Sequence, residues 1–137
     1  MTQSEWYYLL NSRTNALSKC GTGNINGVGG LIILPDNWTL PSGCSFTSGF
    51  ALSNDDCNSY TVAQWAQMES AGAVFLPAAG RRFGTNVRDV GNRGFYWSST
   101  PNSESNAYGM DFVSNSLNAS SDYNRIFGFS VRPVQDN

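Results

Sequence analysis

Apolar residues open the chain at helical spacing. Trp6, Leu9, Leu10 and Leu17 lie along one stripe, with Arg13 as its polar exception. Just ahead of them, Thr2-Gln3-Ser4-Glu5 holds a hydroxyl and a carboxylate at the spacing of a capping box. A first helix is expected there, with one face laid on a sheet. A second box, Thr61-Val62-Ala63-Gln64, precedes Trp65, Ala66, Met68 and Glu69, and Gly72 stands where a helix would stop. These signals predict a second helix of about eleven residues.

Elsewhere the period shortens. Leu31-Ile32-Ile33-Leu34, stopped by Pro35, and Ala73-Val74-Phe75-Leu76, stopped by Pro77, read as short buried strands. Gly94 to Thr100 has the aromatic density of a central strand. Ala107 to Val113 alternates, which puts Tyr108, Met110 and Phe112 on a core face and Ala107, Gly109, Asp111 and Val113 on the opposite one. Phe127, Phe129 and Val131 mark a terminal strand ending at Pro133, with Ser130 and Arg132 pointing the other way. The remainder, Cys20 to Gly30, Asp36 to Pro41, Gly43 to Ser59, Ala78 to Arg93 and Ser114 to Asn124, is read as turn and loop. Gly27-Val28-Gly29-Gly30 is no dinucleotide fingerprint, because a strand follows it where a helix is required.

Composition narrows the function classes. The 137 residues, 40% of them hydrophobic, suffice for one domain, 1–137, around one core. Charged residues are only 13% and the net charge is −2, so nucleic acid is not an expected partner. Lys19 is the single lysine, and the arginines are scattered apart from Arg81-Arg82, read as a solvated turn. No apolar run approaches the roughly 20 residues that span a bilayer, and the opening residues lack the features of a secretory signal. Membrane insertion is not expected, and any export signal is encoded elsewhere.

The chemistry is sparse. There is no histidine, so Ser98, Ser99 and Thr100 have no sequence-level activator. Asp55 with Asp56, or Glu104 with Asp111, offers a carboxylate pair, but nothing fixes the separation that acid-base hydrolysis needs. Asp36-Asn37-Trp38 and Asn54-Asp55-Asp56 are oxygen-rich, yet neither follows a calcium-loop pattern, and Asx residues equally form turns. Cys20, Cys44 and Cys57 allow buried thiols or one structural bridge, and their spacing is not that of a zinc or redox site. The sequons at Asn37 and Asn118 are chance-level matches in a chain this rich in Asn and Ser. No catalytic residue, metal or cofactor is expected.

Set side by side, several segments form a pattern: Glu5-Trp6-Tyr7-Tyr8-Leu9-Leu10 with Arg13-Thr14; Asn26-Gly27-Val28 leading to Leu34-Pro35-Asp36-Asn37-Trp38-Thr39-Leu40-Pro41; and Met68 to Gly80. Gly94-Phe95-Tyr96-Trp97-Ser98-Ser99 and Gly128-Phe129-Ser130-Val131-Arg132-Pro133-Val134 complete it. Almost end to end, the chain resembles the Fibrobacter succinogenes major paralogous domain, common in gut Bacteroidetes and their phages. The resemblance implies an α+β, C-type lectin-like fold related to the formylglycine-generating enzyme, with two helices packed on short antiparallel sheets and long irregular loops. It also implies a variable protein of a diversity-generating retroelement, in which adenine-directed mutagenesis rewrites a C-terminal repeat, here about 94–134.

Codon logic agrees with that implication. Adenine mutagenesis of AAC or AAT templates reaches Asn, Ser, Thr, Tyr, Asp, Gly, Ala, Val, Ile, Phe, Leu and Arg but not Lys, Glu, Gln, Met or Trp, and Asn115 to Phe127 holds only residues of the reachable set. The expected variable surface is Ser105, Gly109, Asp111, Val113, Ser116, Asn118, Ala119, Ser120, Ser121, Asp122, Tyr123, Ile126 and Phe127. Tyr123 suits such a surface because a rigid aromatic with a polar tip gives contact area at low entropic cost. The motifs of calcium-dependent sugar binding and the catalytic cysteine pair of the formylglycine-generating relatives have no counterpart. Longer members carry sequence before the first helix, so the chain is a truncated domain or a short natural form.

The leading expectation is therefore a non-enzymatic, surface-displayed ligand-binding domain, an adhesin or receptor-binding module on a cell, pilus or phage particle. Its partner would be a protein or glycan on another cell or phage host. A second reading is a non-diversified cell-wall or carbohydrate-binding module of the same fold. A third, an enzyme of the formylglycine-generating kind, has no positive feature in the sequence.

Overall fold

The computed structural model describes residues 1–50 and 58–134. It is a mixed α+β domain dominated by three small sheets. Both capping boxes form. The Thr2 hydroxyl accepts from the Glu5 backbone N–H while the Glu5 carboxylate accepts from that of Thr2, starting α1, Gln3–Tyr7. Thr61 and Gln64 do the same for α2, Val62–Ser70. Gly72, at φ +97, ends α2 in a Schellman arrangement, with the N–H groups of Gly72 and Ala73 donating to Glu69 and Met68. The nine residues of α2 fall short of the expected eleven because that turn closes immediately after Ala71.

The first helix departs further from expectation. It widens into a π-helical turn at Tyr8–Ser12, Arg13 is extended, and a separate 3-10 turn occupies Ala16–Lys19. The stripe therefore ends early: Trp6, Leu10, Arg13 and Ala16 are buried, while Leu17 is 65% exposed.

The Gly/Asn-rich segment read as loop is a strand. β1, Cys20–Ile25, forms a hairpin with β2, Val28–Ile33, through Asn26 and Gly27, both at positive φ as a tight two-residue turn requires. β3, Asn58–Tyr60, lies parallel to β1, and β4, Val74–Pro77, pairs antiparallel with β2, giving the order β3-β1-β2-β4. Successive residues of β2 face opposite ways. Leu31 and Ile33 join a core with Trp6, Leu10, Leu76, Tyr96, Met110 and Phe112, whereas Ile32 joins Leu34, Tyr60, Met68 and Ala73 under α2. Burial on both faces explains the uninterrupted apolar run.

Ala78 to Arg93 is also more ordered than its turn residues suggested. β5, Arg81–Phe83, and β6, Asn86–Arg88, form a hairpin to which β10, Phe127–Gly128, adds an outer strand. The remaining sheet is a meander of β7, Arg93–Pro101, β8, Asn106–Val113, and β9, Ser116–Asn124. β9 occupies the polar segment read as loop. The expected terminal strand shrinks to β10 and one bridge from Ser130 to Tyr96, and Val131 is 69% exposed.

Candidate functional site

Pleat parity divides the meander as the alternation predicted, but the two faces differ from expectation. On the inner face Met110 and Phe112 are fully buried beside Ala119, and only Tyr108, half-buried, is left out of the core. On the outer face Phe95 pairs with Asp111, and Trp97 with Gly109. Tyr123, from β9, brings its hydroxyl to the same place: it donates to Asp111 Oδ1 at 2.8 Å, and Ser121 Oγ donates to that oxygen at 2.7 Å. Arg93 Nη2 donates to Asp111 Oδ2 at 3.0 Å. Asp111, 7% exposed, thus supplies a satisfied ionic floor and not a free surface contact.

Aromatic rings cover that floor. Phe129 stacks on Trp97 at 4.3 Å and on Phe95 at 4.9 Å, and Tyr123 meets it edge-on at 4.9 Å. The series continues through Phe127, 5.9 Å from Phe129, to Phe83 of β5, 5.4 Å from Phe127. Two guanidinium groups flank it. Arg81, paired with Asp89 at 3.1 Å, lies over the Phe95 and Phe127 rings, and Arg93 lies over Phe95. Arg81 is therefore part of this face rather than of a solvated turn. Trp97, Tyr123, Phe127 and Phe129 are half-buried and Phe83 is exposed, so the ladder presents ring surface to solvent.

Burial, followed by the Asp111 hydrogen bond and charge, pushes the Tyr123 phenol up to about 12. Tyr123 consequently stays a neutral donor across ordinary pH.

The expected variable residues separate into groups. Gly109, Asp111, Ser121, Tyr123 and Phe127 belong to the aromatic face. Ser105, Ser116, Asn118 and Ile126 are exposed, Asp122 is exposed on the opposite face, where it pairs with Tyr108 and accepts from Asn106 Nδ2, and Val113 is half-buried at the sheet end opposite Arg93. Ala119, 3% exposed, is core, and Ser120 accepts from Gln3 Nε2 of α1 at 2.6 Å, so these two serve the scaffold. Gly109 is buried too, and a Cβ there would sit 2.9 Å from the Tyr96 carbonyl oxygen. Three of the expected surface contacts, Gly109, Asp111 and Ala119, are thus enclosed. Sequence reasoning missed Arg81, Phe83, Arg93, Phe95, Trp97 and Phe129 as members of the face. The odd-numbered parity of Arg93, Phe95 and Trp97 was the available signal.

The remaining candidate chemistry is used structurally or lies elsewhere. Ser98 Oγ donates to the Tyr108 carbonyl, and Thr100 Oγ1 accepts from the Gln3 N–H. Asp36 is shared by Lys19 at 2.7 Å and Arg13 at 3.3 Å, and the Lys19 bond foremost lowers its pKa. Asn54, Asp55, Asp56 and Cys57 lie outside the described residues. Among the described residues no group of three or more acidic or cysteine side chains is placed to hold a metal, and no helix is long and apolar enough to cross a membrane.

Fold and site together define a mixed α+β domain whose three-stranded meander carries an aromatic outer face. Residues 57–134, more than half of the chain, match the family described as a domain of unknown function (DUF8237), and the chain belongs to that family. No curated protein and no solved structure matches it.

Proposed function

We propose that the chain is a ligand-binding domain of C-type lectin-like fold, displayed on a cell or phage surface, and that the outer face of the meander engages its ligand. The observation that carries this reading is the ladder Phe83, Phe127, Phe129 and Trp97, with Tyr123 at its edge, partly exposed to solvent over a fixed ionic floor. Rigid aromatic rings beside arginines are the groups that dominate binding energies at interfaces. A contiguous exposed aromatic patch is also costly to keep in water unless something covers it. The ligand class is a protein or glycan on another cell or on a phage host.

The family resemblance adds diversification by a retroelement, within limits set by burial. Ser105, Ser116, Asn118 and Ile126 have room for replacement, as does Asp122 on the opposite face of the sheet, whereas Gly109, Asp111 and Ala119 do not. This enclosed centre favours, for the middle of the face alone, the second reading of fixed contacts like those of a carbohydrate-binding module. A rim of replaceable residues around a constant centre reconciles the two.

Screening the domain against glycan and surface-protein arrays tests the binding reading: a hit should be lost in Trp97→Ala while the fold persists. Binding unaffected by substitutions at Trp97, Phe83 and Tyr123 would remove this face from consideration. A template repeat near the gene, differing from it only at adenines, tests the diversification, and mismatches spread over all bases would refute it.

A further inference from the structure

A cleft of about 440 Å³ opens beside α1 and shares no lining residue with the aromatic face. Its walls are apolar, formed by residues that include Leu9, Val74, Leu76 and Pro133, and its volume lies in the range of small-molecule sites. The charged side chains in its lining are those of Arg13 and Arg132, with no Asp or Glu among them, and Met1 with its amino terminus lines it too. Arg132 is exposed and takes no part in the ion pairs found among the described residues. Arg13, with 3% of its side chain exposed, donates through Nη1 to the Leu34 carbonyl and to Asp36.

Buried donors supply the second observation. Trp6, 1% exposed, lines the same cleft and its indole N–H has no acceptor, and Arg13 Nε and Nη2 are likewise without one. The Cys20 thiol beside this guanidinium is a poor substitute: burial pushes its pKa up, and only secondarily does Arg13 lower it. Unsatisfied buried donors are costly, and native proteins keep few of them. An acceptor group within reach of these donors would offset that cost, and the exposed Arg132 in the same lining would meet its charge.

From these observations we infer that the cleft between α1, β4 and the Arg132-Pro133 segment binds an apolar organic anion, such as a medium-chain carboxylate. The hydrocarbon part lies against Leu9, Val74 and Leu76, and the carboxylate is drawn to the arginines. The inference is independent of what the aromatic face binds.

Isothermal titration of the whole domain with decanoate, and with decanol as the uncharged control, provides the test. Saturable one-to-one binding of decanoate is expected, with decanol at least about tenfold weaker, as loss of a charge-assisted contact implies. Arg132→Gln, an exposed change that leaves packing intact, should weaken decanoate about tenfold and decanol hardly at all. Val74→Trp should block both ligands, circular dichroism reporting whether that variant still folds. Equal binding of the two ligands, indifference to Arg132→Gln, or no saturable binding would overturn the inference. So would a dimer in sedimentation that decanoate fails to dissociate and that hides the cleft between two copies.

Discussion

The Tyr123 hydroxyl reaches across from β9 to donate to Asp111 of β8, at 2.8 Å, beneath the edge of the Phe129 ring. One side chain thereby does two things. Its hydroxyl satisfies a buried carboxylate, and its ring supplies the edge of the exposed ladder. The arrangement ties the most polar strand of the meander to the buried carboxylate of its floor, so the order of the candidate binding face depends on a residue that lies beneath it.

Replacing Asp111 with Ala should therefore destabilise the domain more than its position on an outward face implies. Arg93, Ser121 and Tyr123 all lose their acceptor. Because Arg93 retains some access to water, the cost should fall near the lower end for a broken buried pair, about 2–4 kcal/mol. Tyr123→Phe alone should cost about 1 kcal/mol, and the double variant should cost less than the sum. Urea unfolding of the four proteins measures this, and strict additivity would refute the coupling.

Alkaline stability follows from the tyrosines. Burial foremost pushes Tyr60, Tyr96 and Tyr123 up to about 12 from the ordinary 10.0. Above pH 10 the unfolded chain releases these protons before the folded one does, so the folded state binds more protons and stability falls with rising pH. The contribution is complete below about pH 10 and is lost towards pH 12. Urea midpoints across this window should decline, and Tyr123→Phe should make the decline shallower. A flat profile would contradict the assigned environments.

What the sequence disclosed was local. Both capping boxes were legible because each is complete within four residues, and Thr61→Ala should cost about 1 kcal/mol with little change elsewhere. The runs 31–34 and 73–76 were legible because apolar residues buried on both sides need no alternation. β1 and β9 were not legible. Cys20 to Ile25 is rich in glycine, and it becomes a strand because β2 and β3 flank it. At Gly21 a Cβ would stand 2.7 Å from the Thr47 carbonyl oxygen, so its glycine serves close packing rather than a turn. The parity of Asp111 was read correctly and its surroundings were not, since the rings that enclose it come from β7, β9 and Phe129.

Room for diversity should be measurable position by position. Gly109→Val puts a Cβ 2.9 Å from the Tyr96 carbonyl oxygen and should cost about 1–3 kcal/mol, as overpacking does. Ile126, 63% exposed, should accept Ser, Asp or Tyr within about 0.5 kcal/mol. Thermal unfolding of a small set of variants at both sites would decide it. Full tolerance at Gly109 would mean that the meander adjusts where its packing says it does not.

Phe83 and Phe129 separate the structural use of the ladder from its use by a ligand. Phe129 is half-buried and stacked on both Trp97 and Phe95, so Phe129→Ala should cost about 2 kcal/mol, below the range for a fully buried ring. Its loss should also weaken the near-ultraviolet circular dichroism of Trp97. Phe83 is 47% exposed at the far end and touches the ladder through Phe127, so Phe83→Ala should change stability by well under about 1 kcal/mol. If the ladder is a binding platform, Phe83→Ala should nevertheless weaken an array-identified ligand about tenfold, because hot-spot rings act through area removed from water. An unchanged affinity in Phe83→Ala, with loss only in Phe129→Ala, would restrict the ligand to the meander end of the face, around Trp97 and Tyr123.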